Sequence, residues 1–129
     1  MAFKPDGYTS VAPYLVLQGA QGTIDFLVKV FAAERLRIVR RDDDTILHGE
    51  VRIDDTVIML ADGQPGWPAQ PAHIHIYVSD VDDTYARAIA AGAEAVQAPE
   101  QKQDADRRGG FRDAGGTTWW VAQQLAAED

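Results

Sequence analysis

The sequence predicts an α+β protein built from two tandem βαβββ modules, and three observations carry that prediction. The second half repeats the first at a fixed offset of 61: Leu15, Leu17, Ile24, Leu27 and Val28 fall on Ile76, Val78, Tyr85, Ala88 and Ile89. Thr23, Ala32, Thr56 and Ala61 likewise meet Thr84, Ala93, Thr117 and Ala122. Between the halves lies Asp62-Gly-Gln-Pro-Gly-Trp-Pro-Ala-Gln-Pro71, which holds three of the six prolines. Within each half the hydrophobic period changes in the same order, from strand to helix to three further strands. The expected organisation is one domain over residues 1–129, with module one at 11–62, a linker at 63–71 and module two at 72–124.

Val11 to Leu17 and His73 to Val78 alternate polar and branched apolar residues, as half-buried strands do. Ile24, Leu27, Val28 and Phe31 are spaced as the apolar stripe of a helix, and Tyr85, Ala88 and Ile89 repeat the spacing. Thr23 and Asp82 or Asp83 are the expected helix starts, and Gly92 the stop of the second helix. The remaining strands are expected at Leu36–Arg41, Ile46–Ile53 and Thr56–Ala61, then Glu94–Ala98, Arg108–Asp113 and Thr117–Gln123. Asp42-Asp43-Asp44, Asp54-Asp55 and Gly115-Gly116 supply the turns.

Composition narrows the function classes. The chain has 129 residues, no cysteine and a net charge of −8. Without cysteine there are no disulfides, thiolate metal sites or cysteine nucleophiles. An acidic chain with few basic clusters argues against a nucleic-acid partner, because such affinity rests on clustered Lys and Arg. No apolar run approaches a membrane span, and the first ten residues lack the apolar core of a secretory signal. The expected location is the cytoplasm. Phosphate-loop, nucleophile-elbow and zinc-protease helix motifs are missing from the sequence.

Local motifs fit one family in order and spacing. Pro13-Tyr14-Leu-Val, Ile24-Asp25-Phe26 and Phe31-Ala-Ala-Glu34 open the pattern. Leu47-His48-Gly-Glu50-Val-Arg52-Ile and Val57-Ile-Met59-Leu-Ala-Asp62 continue it. Tyr77-Val-Ser-Asp80-Val-Asp82, Ala91-Gly92-Ala, and Asp106-Arg107 through Arg112-Asp113 to Trp119-Trp120 complete it. Over residues 12–124 the chain resembles the vicinal-oxygen-chelate superfamily, the glyoxalase, bleomycin-resistance and dioxygenase group, in its PhnB-like branch. That resemblance implies curved sheets around a cavity, a small-molecule ligand, and a homodimer that completes the site.

Strand alternation assigns the faces independently. Ile74, Ile76 and Val78 should meet the helix, leaving His73, His75 and Tyr77 opposite. The same parity puts Ala12, Tyr14 and Val16 on the open side, with His48, Glu50 and Arg52 and, from the last strands, Met59 and Trp120. Such a surface suits a small aromatic or anionic ligand, with Tyr14, Arg52, Met59, His73, His75, Tyr77 and Trp120 as binding candidates. Tyr14, Tyr77, Phe111 and Trp120 read as a stacking wall or as core, and Trp119 as core. Trp67 reads as a cap on the cavity or as part of a dimer interface.

The superfamily's metal-dependent members place a ligand on the first and last strands of each module. The resemblance maps those positions onto Ala12, Met59, His73 and Trp120, where only His73 is a ligand for a divalent metal. The expectation is therefore no cofactor. A shifted divalent-metal site from His73 and His75, with Glu50 or His48 as third ligand, is the rival. As catalytic candidates Glu50 and His48 form an acid–base pair or a structural one, and Arg52 is an anion anchor or a cross-strand ion-pair partner. The leading function is a metal-independent small-molecule binder. The alternative is a lyase, isomerase or dioxygenase using Glu50 and His48, His73 or His75.

Overall fold

A computed structural model describes residues 2–125. The chain divides into two compact units, Met1–Gln70 and Pro71–Asp129. In the first unit the elements run β1 (Tyr14–Leu17), α1 (Ala20–Phe31), β2 (Glu34–Arg40), β3 (Ile46–Ile53) and β4 (Thr56–Asp62). They form a four-stranded sheet in the order β1-β4-β3-β2, with β1 parallel to β4 and the other pairs antiparallel. The second unit repeats this with β5 (Ala72–Tyr77), α2 (Val81–Ala90), β6 (Glu94–Gln101), β7 (Asp106–Arg112) and β8 (Thr117–Gln124), in the order β5-β8-β7-β6. The βαβββ order expected from the periodicity is thus present twice. Among the described residues no helix is long and apolar enough to cross a membrane.

Each helix covers one face of its own sheet. In the first unit Leu17, Ile24, Leu27, Val30, Val51 and Leu60 are fully buried. In the second, Val81, Ala88, Phe111, Trp119 and Val121 are. The stripe on α2 runs through Val81, Thr84 and Ala88, while Ile89, expected in the core, remains 38% exposed.

The helix starts differ from the expectation. Thr23 lies buried inside α1, which begins three residues earlier after Gly19 in the left-handed region (φ 77°). No local side chain caps it. Instead Asp62 Oδ1, from the end of β4, accepts the amides of Gly19 (3.0 Å) and Ala20 (2.8 Å). In the second unit Asp80 is the N-cap, accepting the amide of Asp83, and Gln123 Oε1 accepts the amide of Val81 at 3.1 Å. Gln123 stands 61 residues after Asp62, so each unit caps its helix from the end of its last strand.

The uniform offset fails in β7. Met59 pairs with Glu50, yet Trp120, 61 positions after Met59, pairs with Gly110, only 60 after Glu50. Counted from the Asp113–Thr117 backbone hydrogen bond, the turn Ala114-Gly115-Gly116 into β8 is one residue longer than Asp54-Asp55, and that residue shifts β7 by one. A one-residue shift exchanges the faces of a strand. Phe111 therefore belongs to the helix side, fully buried with its ring 6.3 Å from that of Tyr85, and not to a stacking wall. The corrected alignment also pairs the ion bridges: Arg52–Glu34 (3.0 Å) recurs as Arg112–Glu94 (3.3 Å).

Candidate functional site

Register fixes what shares the open face of the first unit. Tyr14 pairs with Met59, Met59 with Glu50, and Glu50 with Arg37, giving one row across four strands. Glu50 is only 6% exposed. A carboxylate so buried requires donors, and it has two. Tyr8 donates its hydroxyl to Oε1 at 2.5 Å, and His48 Nε2 lies 2.7 Å from Oε2. Burial pushes the Glu50 carboxyl up, but those two hydrogen bonds, with the charges of His48 and Arg37, outweigh it and hold the pKa below the ordinary range. The same bond to Glu50 raises the Tyr8 phenol. Arg52 sits two residues along on the same face, bound to Glu34 and, at 3.3 Å, to the carbonyl of Gly7. Rings gather beside the carboxylate: Tyr14 lies 6.0 Å from His48 and 5.9 Å from Trp67, with Tyr14 43% and Trp67 46% exposed.

The open face of the second unit carries His73, His75 and Tyr77, all exposed as alternation requires, beside Trp120. Trp120 Nε1 donates to His73 Nδ1 at 3.0 Å and the two rings stack. Arg108 is the hub of the rest. Its Nε donates to His75 Nε2 (3.2 Å) and its Nη2 to Asp106 Oδ2 (3.0 Å), which also accepts the Tyr77 hydroxyl (2.7 Å). Partial desolvation of the ring, then the Arg108 charge, lowers the His75 pKa against the pull of Asp106 and favours the neutral form. The bond to Asp106 raises the Tyr77 phenol.

Sequence reading singled out most of these groups but missed four that organise them. Tyr8 lies outside every periodic segment. Arg37 flanks a bulge in β2, which hides its face. Arg108 and Asp106 reach the open face only once the shift in β7 is known. A cleft of about 380 Å³ is lined by Gln97, Glu100, Asp104, Asp106 and Arg108 among others. A groove of about 650 Å³ near the start of α1, lined by Gln18, Asp43, Thr45, Gln64 and the helix-capping Asp62 among others, contains none of the candidate site residues.

The donor chemistry fits a divalent metal poorly. Met59 and Trp120 offer no hard or borderline donor, and Trp120 uses up one nitrogen of His73. A guanidinium faces the Nε2 of His75, the atom that would ligate, and repels a cation there. His48 Nε2 is already turned to Glu50.

The Glu50 pair gives an expected result. Because its folded pKa is depressed, its contribution is complete above the unfolded value, 4.5, and is lost as pH falls through the folded one. Glu50→Gln should therefore flatten the decline of stability below that pH, read as urea midpoints at stepped pH. Equal slopes for both proteins would refute the assignment.

Two βαβββ units with aromatic and charged open sheet faces define a duplicated α+β protein with surfaces suited to a small molecule. The model of the Glyoxalase/Bleomycin resistance protein/Dioxygenase superfamily matches residues 13–121, and the chain belongs to that superfamily. An uncharacterized protein of Mycobacterium bovis is 34% identical over 127 residues, covering 90% of this chain and 84% of that protein. Among solved structures, TioX from Micromonospora sp. ML1 is similar at 26% identity with a TM-score of 0.76, covering 91% of this chain and 99% of its own. TnmS3, an antibiotic binding protein from a Streptomyces species, shares the fold at 20% identity and a TM-score of 0.69, covering 96% and 98%.

Proposed function

We propose that the protein binds a small aromatic or anionic molecule on its open sheet faces without the superfamily metal and without turnover. The observation that carries this reading is the state of Glu50. A general base needs a pKa raised toward neutrality and a free lone pair. Glu50 is instead held ionised, with both oxygens hydrogen-bonded, while Tyr14 and Trp67 stand half-exposed beside it. Tyr14, Arg52, Met59, His73, His75, Tyr77 and Trp120 are the proposed contacts, and Glu50 and His48 hold the wall rather than move protons. The donor mismatch at His73 and His75 supports metal independence, and the antibiotic-binding neighbour of the same fold is consistent with a binder. The same reading treats the two units as one domain of the PhnB-like branch, working as a homodimer in the cytoplasm.

Elemental mass spectrometry on untagged, chelator-free protein tests it first. The expected zinc, iron, nickel and manganese content is below about a tenth of an equivalent per chain, with no thermal shift on adding these ions. Near one equivalent would replace this reading with a shifted site at His73, His75 and Glu50 and with lyase or dioxygenase chemistry.

A further inference from the structure

Residues 2–13 run across the open face of the first unit before β1, and little but polar contact holds them there. Phe3 and Val11 are 87% and 84% exposed, and of residues 2–11 only Tyr8 is partly buried. Its hydroxyl sits on Glu50 Oε1, and the neighbouring Gly7 carbonyl accepts from Arg52. The segment is tethered at its far end, where the Pro13 carbonyl accepts the amide of Met59 at 2.9 Å.

We propose that Glu50 anchors a subsite for a phenolic ligand, and that Tyr8 is the chain's own occupant of that subsite, displaced when the ligand binds. The inference rests on the small-molecule reading above and narrows it to a chemical class. Glu50 offers lone pairs only, so whatever replaces Tyr8 must bring a donor. An ether or a bare hydrocarbon leaves a buried carboxylate oxygen unpaired, which costs the full desolvation of that atom. A ligand carboxylate adds a like charge. An aromatic hydroxyl exchanges one O–H···O⁻ bond for another of the same kind. Lifting residues 2–11 uncovers little apolar surface, because almost none of it is buried. The Tyr14 and Trp67 rings, beside His48 and the Met59 position, give a flat ligand a surface to lie against.

The test is equilibrium binding of 2-naphthol and of 2-methoxynaphthalene, which lacks the donor, to the full chain at about pH 7, where the phenol is neutral and the carboxylate ionised. The naphthol should bind about tenfold tighter than the ether, the difference expected of one hydrogen bond to a charged group. Tyr8→Phe keeps the ring but vacates Oε1, and should tighten naphthol binding by about threefold or more while leaving the ether unchanged. Glu50→Gln keeps an acceptor oxygen but loses the charge, and should weaken naphthol binding toward that of the ether. Equal affinity of the two probes, or no change in naphthol binding in the Tyr8→Phe protein, overturns the phenolic subsite and leaves the broader binding reading standing. Binding of neither probe to any of the three proteins overturns both.

Discussion

Asp62→Ala is expected to cost the first unit about 3 kcal/mol, because three amides, two of them on fully buried residues, lose one acceptor at once. Oδ1 takes the amides of Gly19 and Ala20, and Oδ2 takes that of Ile46 at 2.7 Å. Ala20 and Ile46 are both fully buried, so water does not simply replace the carboxylate. A conventional N-cap satisfies one or two amides at a solvent-exposed helix end and is worth about 1 kcal/mol. Asp62 ties the start of α1, the end of β4 and the start of β3 to a single side chain. Gln123→Ala in the second unit is the internal comparison. It removes one acceptor from Val81 and should cost only about 1 kcal/mol. Urea midpoints, read with the slope to confirm an unchanged transition, measure both. A loss below about 1 kcal/mol for Asp62→Ala would show that the carboxylate is not the shared cap.

Asp62 also shows where sequence reading stops. The order of elements was legible because a change of period from two to 3.6 and back, repeated in both halves, is a local property of the chain. The open faces were legible for the same reason: His73, His75 and Tyr77 alternate with Ile74 and Ile76 and are exposed as that pattern requires. The helix start was misplaced at Thr23 because its cap comes from 42 residues away, and nothing local announces it. Glu50 and His48 could be named as neighbours on one strand, but their state could not. Tyr8, which takes Oε1, lies in a stretch with no periodicity. Arg37, which pairs with Glu50 from the adjacent strand β2, follows a bulge that resets the alternation. The shift in β7 escaped notice because Gly109-Gly110 carries no apolar signal to register it.

That shift leads to the second large effect. At Gly110 an added β-carbon would lie 2.6 Å from Cε3 and 2.7 Å from Cζ3 of Trp120, closer than any carbon pair tolerates. Gly110 is not among the residues with positive φ, so its backbone accepts a side chain and the obstacle is purely steric. The glycine is there because the indole lies flat over the cross-strand position that Glu50 fills in the first unit. Gly110→Val should displace the ring, break its hydrogen bond to His73 Nδ1 and destabilise the second unit by about 1–3 kcal/mol, the usual range for overpacking. Two readouts separate this from general damage. The near-ultraviolet circular dichroism of the stacked indole should weaken, and the His73 ring resonances should move to those of a Trp120→Phe protein. Trp120→Phe also removes the Nε1 donor but keeps an aromatic ring, so its stability loss should be smaller than that of Gly110→Val. If Gly110→Val is as stable as the parent and His73 is unmoved, Trp120 does not lie over β7 and the one-residue slip is wrong. Because the slip also turns Arg108 to the open face and Phe111 inward, this one substitution tests the whole arrangement of the second face.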